Sequence, residues 1–234
     1  MGRNTGFLPF KDKHAGESAI LFASGPTLSD FCYEDLPLTI GPQAGVNSVV
    51  YSSELHLDYY FCGHNPCRDG LRRKTLRDPD ASTDYLATAV SRDDVQQIFV
   101  GTKLNDGVNI QYFTDEEAEE VGGIPYGLTT DKGPDAFTLD ICNRSLVNHS
   151  IVFSSLQFLL FTGVHRIYLV GNDCEGGYSF IFPDESSNYD RGRHDLVPFW
   201  EDFSRFLRKE LPQVEIVSIN PRKLKGMFTD LWTK

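Results

Sequence analysis

Short apolar runs that stop abruptly at small polar turns constrain this chain more than any other feature. Ser18-Ala19-Ile20-Leu21-Phe22-Ala23 runs into Ser24-Gly25-Pro26, Asp58-Tyr59-Tyr60-Phe61-Cys62 into Gly63-His64-Asn65-Pro66, and Arg166-Ile167-Tyr168-Leu169-Val170 into Gly171-Asn172-Asp173. Such runs fit strands buried on both faces. A further apolar stretch from Pro37 to Val50, broken by Gly41-Pro42 and Gly45, ends near Asn47-Ser48. Gln97-Ile98-Phe99-Val100 and Val214-Glu215-Ile216-Val217-Ser218-Ile219 are two more strand candidates. Helical spacing covers Ser150 to Phe161, stopped by Thr162-Gly163, and Asp195 to Glu210, where Leu196, Phe199, Trp200, Phe203, Phe206 and Leu207 recur before Pro212. Strands alternating with helices predict an α/β fold, a Rossmann-like and mostly parallel sheet with helices on both faces.

The 234 residues are read as a single nucleotide-binding domain over 1–234. Residues 1–16 read as a polar lead-in, and Thr27 or Ser29 as the cap of a short helix through Tyr33. The charged stretch from Arg68 to Asp94 reads as surface. Residues 102–140, rich in Gly, Pro, Asp and Glu, read as an insertion or lid with little regular structure. The run Asp115-Glu116-Glu117-Ala118-Glu119-Glu120 reads as a solvated face, because it lacks the turn residues of a calcium loop.

Lys plus Arg number 22 against 33 Asp plus Glu, a net charge of −11 that repels phosphate backbones and disfavours a broad nucleic-acid groove. A single nucleotide remains compatible, since backbone N–H groups can hold its phosphate. The first residues, Met1-Gly2-Arg3-Asn4-Thr5-Gly6, lack the apolar core of a signal peptide. The most apolar stretch, Ile151 to Val164, is interrupted by Ser154, Ser155, Gln157 and Thr162 and falls short of the ~18 apolar residues of a membrane span. Five scattered cysteines read as reduced thiols, so the expected location is the cytoplasm.

In a parallel sheet, ligands bind beyond the carboxyl ends of the strands. The residues to read are therefore Ser24-Gly25-Pro26, Asn47-Ser48, Gly63-His64-Asn65-Pro66 and Gly171-Asn172-Asp173. Small residues let backbone amides approach a ligand, and the Asn side chains offer donors and acceptors. Each turn alone is ordinary turn chemistry; at successive strand ends they point to a nucleotide crevice. The dinucleotide Gly-x-Gly-x-x-Gly, the phosphate loop Gly-x-x-x-x-Gly-Lys-Ser/Thr and the Gly-x-Ser-x-Gly elbow are all missing. Cys62, His64 and Cys67 are close enough to suggest zinc, but no second ligand pair accompanies them, so thiols without metal are the plainer reading.

With these motifs in order (strand then Ser-Gly-Pro-Thr-Leu, strand then Val-Asn, strand then Asn-Pro, Ser-led helix, strand then Gly-x-Asp, a Tyr and a late His) the chain resembles the small single-domain bacterial sialyltransferases. It is also similar to families carrying a Gly-x-Gly-Pro-Ser-Leu turn, the flagellin-modifying glycosyltransferases and the archaeal-type hydroxymethylpterin diphosphokinases. The resemblance spans residues 18–67 and 145–226. It implies that Ser24, Gly25 and Pro26 lie against the donor's phosphate and sugar, that Asn47 and Asn65 contact the donor, that Ser150 meets its sugar carboxylate, and that Gly171, Asn172 and Asp173 wall the nucleotide pocket. It implies too that Tyr178 bonds the leaving phosphate and that His194 is the general base. The chain departs from the pattern in three places: Ala23-Ser24-Gly25 replaces Gly-Asn-Gly, Cys174 and Glu175 stand where a second Tyr belongs, and Val147 replaces an Arg, for which Arg144 is the nearby substitute.

His194 sits in Asp190-Arg191-Gly192-Arg193-His194-Asp195, where the arginines favour a neutral imidazole or bind phosphate. Arg222, Lys223 and Lys225 follow the last strand as either a solvated face or an anion site; three charges without an amphipathic helix make a weak membrane signal. The implied activity is a metal-independent, inverting nucleotide-sugar glycosyltransferase. It needs no cofactor: its donor, with cytidine as one candidate nucleotide, is a substrate, and its partner is a glycan or small hydroxyl acceptor. A homo-oligomer is expected. The alternatives are a diphosphokinase using ATP and Mg²⁺, with Asp173 as its carboxylate, and a nucleotide- or glycan-binding module without catalysis.

Overall fold

The computed structural model describes residues 4–36, 40–63, 85–104, 113–174 and 195–232. Its centre is a sheet in which every pairing is parallel, formed by β1 (Ser18–Phe22), β2 (Gln43–Val46), β3 (Tyr59–Cys62), β4 (Gln97–Leu104), β5 (Ile124–Thr129), β6 (Leu146–Val147), β7 (Arg166–Val170), β8 (Glu215–Ile219) and β9 (Thr229–Leu231). The order is β6-β5-β4-β3-β2-β1-β7-β8-β9. The chain builds outward from β1 to β6, then returns to place β7 against β1's other side. The order therefore reverses between β1 and β7, and all the strand carboxyl ends lie along one edge.

Side chains alternate across the sheet with the strand period of two. Ala19 and Leu21 of β1, Tyr59 and Phe61 of β3, and Ile167 and Leu169 of β7 point into one core layer. Ile20 and Phe22, Tyr60 and Cys62, and Tyr168 and Val170 point into the other. The first layer is covered by α3 (Ile151–Phe161) and α4 (Val197–Glu210), the second by α1 (Tyr85–Val90), α2 (Asp115–Glu120) and short 3-10 turns. The Rossmann-like parallel fold is thus present, with helices on both faces.

The α3 helix returns the chain from β6 to β7 and packs under β1, β2, β3 and β6. Ten of its residues are buried, which is why its sequence reads as the most apolar stretch. Its polar side chains are bonded within the protein: Ser154 Oγ donates to Val147 O at 3.0 Å, Ser155 Oγ to Ile151 O at 3.1 Å, and Gln157 Oε1 accepts from Thr138 N at 3.2 Å. The left-handed Gly163, at φ +85°, ends the helix as expected. No helix among the described residues is long and apolar enough to cross a membrane.

Three sequence readings are corrected. The lead-in is part of the core: a 3-10 turn over Thr5–Phe10 buries Phe7 completely, and Asn4 donates to Ile141 O and Arg144 O and accepts from Gly127 N. Residues 102–140 carry more regular structure than their composition suggests, since α2 and β5 lie within them and β5 fills the sheet between β4 and β6. Gly and Pro count against a strand, but Tyr126, Leu128 and Thr129 are buried and supply its packing. The turn after β1 is a 3-10 segment, Pro26–Asp30, started by proline; neither Thr27 nor Ser29 caps it.

At the amino edge, Arg92 ties the segment before β3 to the one before β4. Its guanidinium donates to Val50 O at 3.0 Å, Ser52 O at 2.6 Å and Leu55 O at 2.5 Å, and to both Asp94 oxygens at 2.9 and 2.6 Å. Those bonds hold the Asp94 carboxyl down at about 2. A carboxyl depressed in the folded state stabilises fully above its ordinary value, near 4, and loses that contribution as pH falls toward 2. Urea unfolding as a function of pH should show stability falling across that window, and a shallower fall in Asp94→Asn. A second prediction concerns the aromatic centre, where Phe158 meets Phe99 at 4.5 Å, Tyr59 at 5.1 Å and Phe61 at 5.3 Å. Phe158→Ala should lower the unfolding free energy by about 3–5 kcal/mol in the same assay.

Candidate functional site

Because β1 and β7 are neighbours, the turns that leave them are bonded to each other. Ala23 N donates to Val170 O at 2.8 Å and Gly25 N to Gly171 O at 2.7 Å. Asp173, only 3% exposed, accepts from Thr27 N at 2.8 Å through one carboxylate oxygen and from Thr27 Oγ1 at 2.6 Å through the other. The Asn172 amide donates to Val170 O at 3.1 Å and Leu21 O at 3.3 Å. Two glycines are required here. A Cβ on Gly25 would overlap the Asp173 carboxylate and Gly171 O; one on Gly171, whose φ is +69°, would overlap Ala23 O. Ser24, Gly25 and Pro26 are left half-buried at the mouth of this joint.

One strand further, β2 ends at Asn47, which adopts a left-handed backbone at φ +47° that non-glycine residues seldom take. Its carbonyl accepts from the Tyr60 hydroxyl at 2.9 Å, and burial pushes that phenol well above its ordinary pKa, so it remains a donor. Among the described residues, Asn47 Oδ1 and Ser48 Oγ are buried and find no hydrogen-bond partner, and Ser48 is 1% exposed. Native proteins rarely leave such groups unpaired, because each costs about 1–3 kcal/mol. Two in succession at a strand's carboxyl end, on a strained backbone, make this turn a candidate site, where water or a ligand would supply the missing bonds.

The helix starts lie along the same edge. The end of β3 abuts α3, since a Cβ on Gly63 would sit 2.8 Å from Ile151 Cδ1 and 3.8 Å from Asn148 Oδ1. Ser150 is the N-cap of α3, and its hydroxyl makes no capping bond. The amino end of this buried helix carries partial positive charge and unpaired N–H groups, which suit an anion. The His149 ring stacks on Phe199 of α4 at 3.7 Å between centroids, and its Nε2 lies 2.9 Å from Asp131 O, so the segment after β5 and the starts of α3 and α4 are joined. The Cys174 thiol, pushed up to about 12 by burial, stays protonated.

The residues singled out from sequence thus divide. Ser24, Gly25, Pro26, Asn47, Ser150, Gly171, Asn172 and Asp173 lie at the carboxyl edge. Asn172 and Asp173 use polar atoms to hold the turns, whereas among the described residues Asn47 Oδ1 has no hydrogen-bond partner and the Ser150 hydroxyl makes no capping bond. Asn65, Tyr178 and His194 lie outside the described residues, as do His64 and Cys67 of the zinc reading. Cys62 is a buried cysteine in β3, and no group of three or more metal-ligating side chains occurs among the described residues. Arg144 does not replace the missing arginine. It precedes β6 and lies 3.4 Å from Asp135 O; the Asp135 carboxylate in turn pairs with Lys209, at the carboxyl end of α4 and away from the crevice. Thr27 adds to the sequence reading, since it meets a partner 146 positions away that no local signal announces.

Among solved structures, the chain is similar to the sialyltransferase CST-II in complex with a trisaccharide acceptor and CMP, at 15% identity over 92% of this chain and 86% of that one, with a TM-score of 0.49. It is likewise similar to the sialyltransferase CstII from Campylobacter jejuni in complex with cytidine-5'-monophosphate, at 14% identity over 93% and 85%, with the same TM-score. No protein-family model and no curated protein matches the chain.

The buried unpaired oxygens yield a paired prediction. Ser48→Ala should raise the melting temperature of the ligand-free protein, by removing an unsatisfied hydroxyl, and lower its affinity for a nucleotide. Scanning calorimetry and titration calorimetry on one preparation check both halves.

Proposed function

We propose that this protein is a nucleotide-sugar-dependent glycosyltransferase of the sialyltransferase-like type, inverting and metal-independent. The observation that carries the reading is the pair of unpartnered oxygens on Asn47 and Ser48, at the carboxyl edge where Ser24-Gly25-Pro26 and the α3 start also lie. A sugar-nucleotide supplies what such a crevice wants: ribose hydroxyls or a base amino group to donate to Asn47 Oδ1, a phosphate to accept from the helix N–H groups, and a sugar carboxylate to accept from the Ser150 hydroxyl. The order of motifs along the chain supports the narrower choice of a sugar-nucleotide over other nucleotides.

In the proposed reaction, the acceptor hydroxyl oxygen attacks the anomeric carbon on the face opposite the nucleotide. That carbon's bond to the phosphate oxygen breaks, and the electron pair leaves with the nucleoside monophosphate. The hydroxyl proton passes to His194, a base suited to neutral pH. The charge on the leaving phosphate is met by Tyr178 and the amino end of α3. The roles of His194 and Tyr178 rest on the motif resemblance. Against the diphosphokinase alternative stands its one candidate carboxylate, Asp173, which is 3% exposed and accepts from Thr27 through both oxygens.

The test is titration calorimetry with cytidine monophosphate, paired with a donor-hydrolysis assay. The nucleotide should bind with equal affinity with and without EDTA. Asn47→Gly, which keeps the left-handed backbone, should weaken it roughly 5- to 100-fold. His194→Ala should leave affinity nearly unchanged and lower turnover by about 10²–10⁴-fold. ATP binding that requires Mg²⁺ would return the case to a kinase, and nucleotide binding without any hydrolysis would favour a binding module.

A further inference from the structure

The strand order brings α4 alongside the segment that follows β8, on the far side of β1 and β7 from β2, and between them runs a furrow whose Lys223 donates its backbone N–H to Asp173 O at 3.3 Å. Its upper part, about 660 Å³, is lined by Arg205 and Arg208 of α4 and by Lys223 and Lys225 of the segment, with Glu201 the one carboxylate in the lining. All four cations are exposed. Arg205 pairs with Asp202, Arg208 Nη1 donates to Ser204 Oγ at 3.0 Å, and Lys225 Nζ sits 5.5 Å from the centre of the Trp232 ring. Sequence alone shows Arg222, Lys223 and Lys225 after the last long strand; the fold brings Arg205 and Arg208 of α4 beside the two lysines. In a protein of net charge −11, this is a local concentration of positive charge.

The furrow continues into a second part of about 310 Å³, and Ser204, Arg208 and Met227 line both. Here the character changes. Leu211, Val214, Met227 and Phe228 present partly buried apolar surface. Beside the basic part stands Trp232, 57% exposed, an amphipathic ring of the kind that settles where water meets hydrocarbon. An extended polyanion fits poorly, because the cations stop where the apolar part begins and the protein's overall charge opposes it. What fits is a molecule with one compact anionic end and an apolar remainder.

We propose that this furrow is a seat for an anionic lipid, its phosphate held by Arg205, Arg208, Lys223 and Lys225 and its apolar part lying along Leu211, Met227 and Phe228. The seat does not rest on the nucleotide reading, and vesicle binding and nucleotide binding can fail separately.

The test uses the full chain with phosphatidylcholine vesicles, with and without phosphatidylglycerol. The chain has two tryptophans, and Trp200 is 2% exposed, so a change in emission reports Trp232. Doped vesicles should co-sediment the protein and shift its emission to the blue, whereas pure phosphatidylcholine should do neither. The double variant Arg208→Ala/Lys225→Ala, both positions exposed, should melt like the parent and bind doped vesicles about 30-fold more weakly, at roughly fivefold per cation. Trp232→Phe should lose the emission shift and keep most of the binding. Absence of binding to doped vesicles, or unchanged binding in a folded double variant, overturns the proposal. Protection of the furrow by inorganic phosphate without any vesicle binding overturns it as well, since the site would then take the anion alone.

Discussion

The joint between the turns after β1 and β7 is what the rest of the site depends on. A parallel sheet can place these strands side by side only by sending the chain out through β6 and back through α3. The contact is then locked at atomic range. Gly25 and Gly171 let the backbones touch, and the buried Asp173 carboxylate accepts two bonds from Thr27. A buried carboxylate is tolerable only when its oxygens are satisfied, and here the same bonds that satisfy it fix the shape of the crevice mouth. Asp173 is therefore a positioning residue in this architecture.

The neighbouring strand shows the opposite arrangement. Asn47 and Ser48 keep buried oxygens unpaired on a left-handed backbone, while Tyr60 fixes the Asn47 carbonyl from beneath. Within α3, by contrast, Ser154, Ser155 and Gln157 find partners although they are completely buried. Within α3 the buried polar side chains are satisfied by bonds that serve packing, whereas after β2 the Asn47 and Ser48 oxygens are not.

What the sequence makes legible follows from how local each signal is. The β1, β3 and β7 strands are continuous apolar runs, and α3 and α4 have helical spacing with clear stops, so these elements are recognisable without coordinates. The β6 and β9 strands span two and three residues, too short for any periodicity to register. The lead-in hides its role because two aromatics, Phe7 and Phe10, supply its ring contacts with Phe99 and Phe158 amid mostly polar neighbours. The turns after β1, β2 and β7 are visible as candidate ligand sites because strand direction alone sends them to one edge. Which of their residues remain open is set by long-range bonds such as Thr27 to Asp173, and Arg144 is drawn away by Asp135, on the amino side of β6.

In the proposed function a nucleotide completes the carboxyl edge at the reversal of strand order, and residue-resolved amide hydrogen exchange with and without cytidine monophosphate reads this. New protection is expected at Ser24, Asn47 and Ser48 and in the first turn of α3, with the amino-edge segment around Arg92 unchanged. Protection confined to that amino edge, or none at saturating nucleotide, would contradict it.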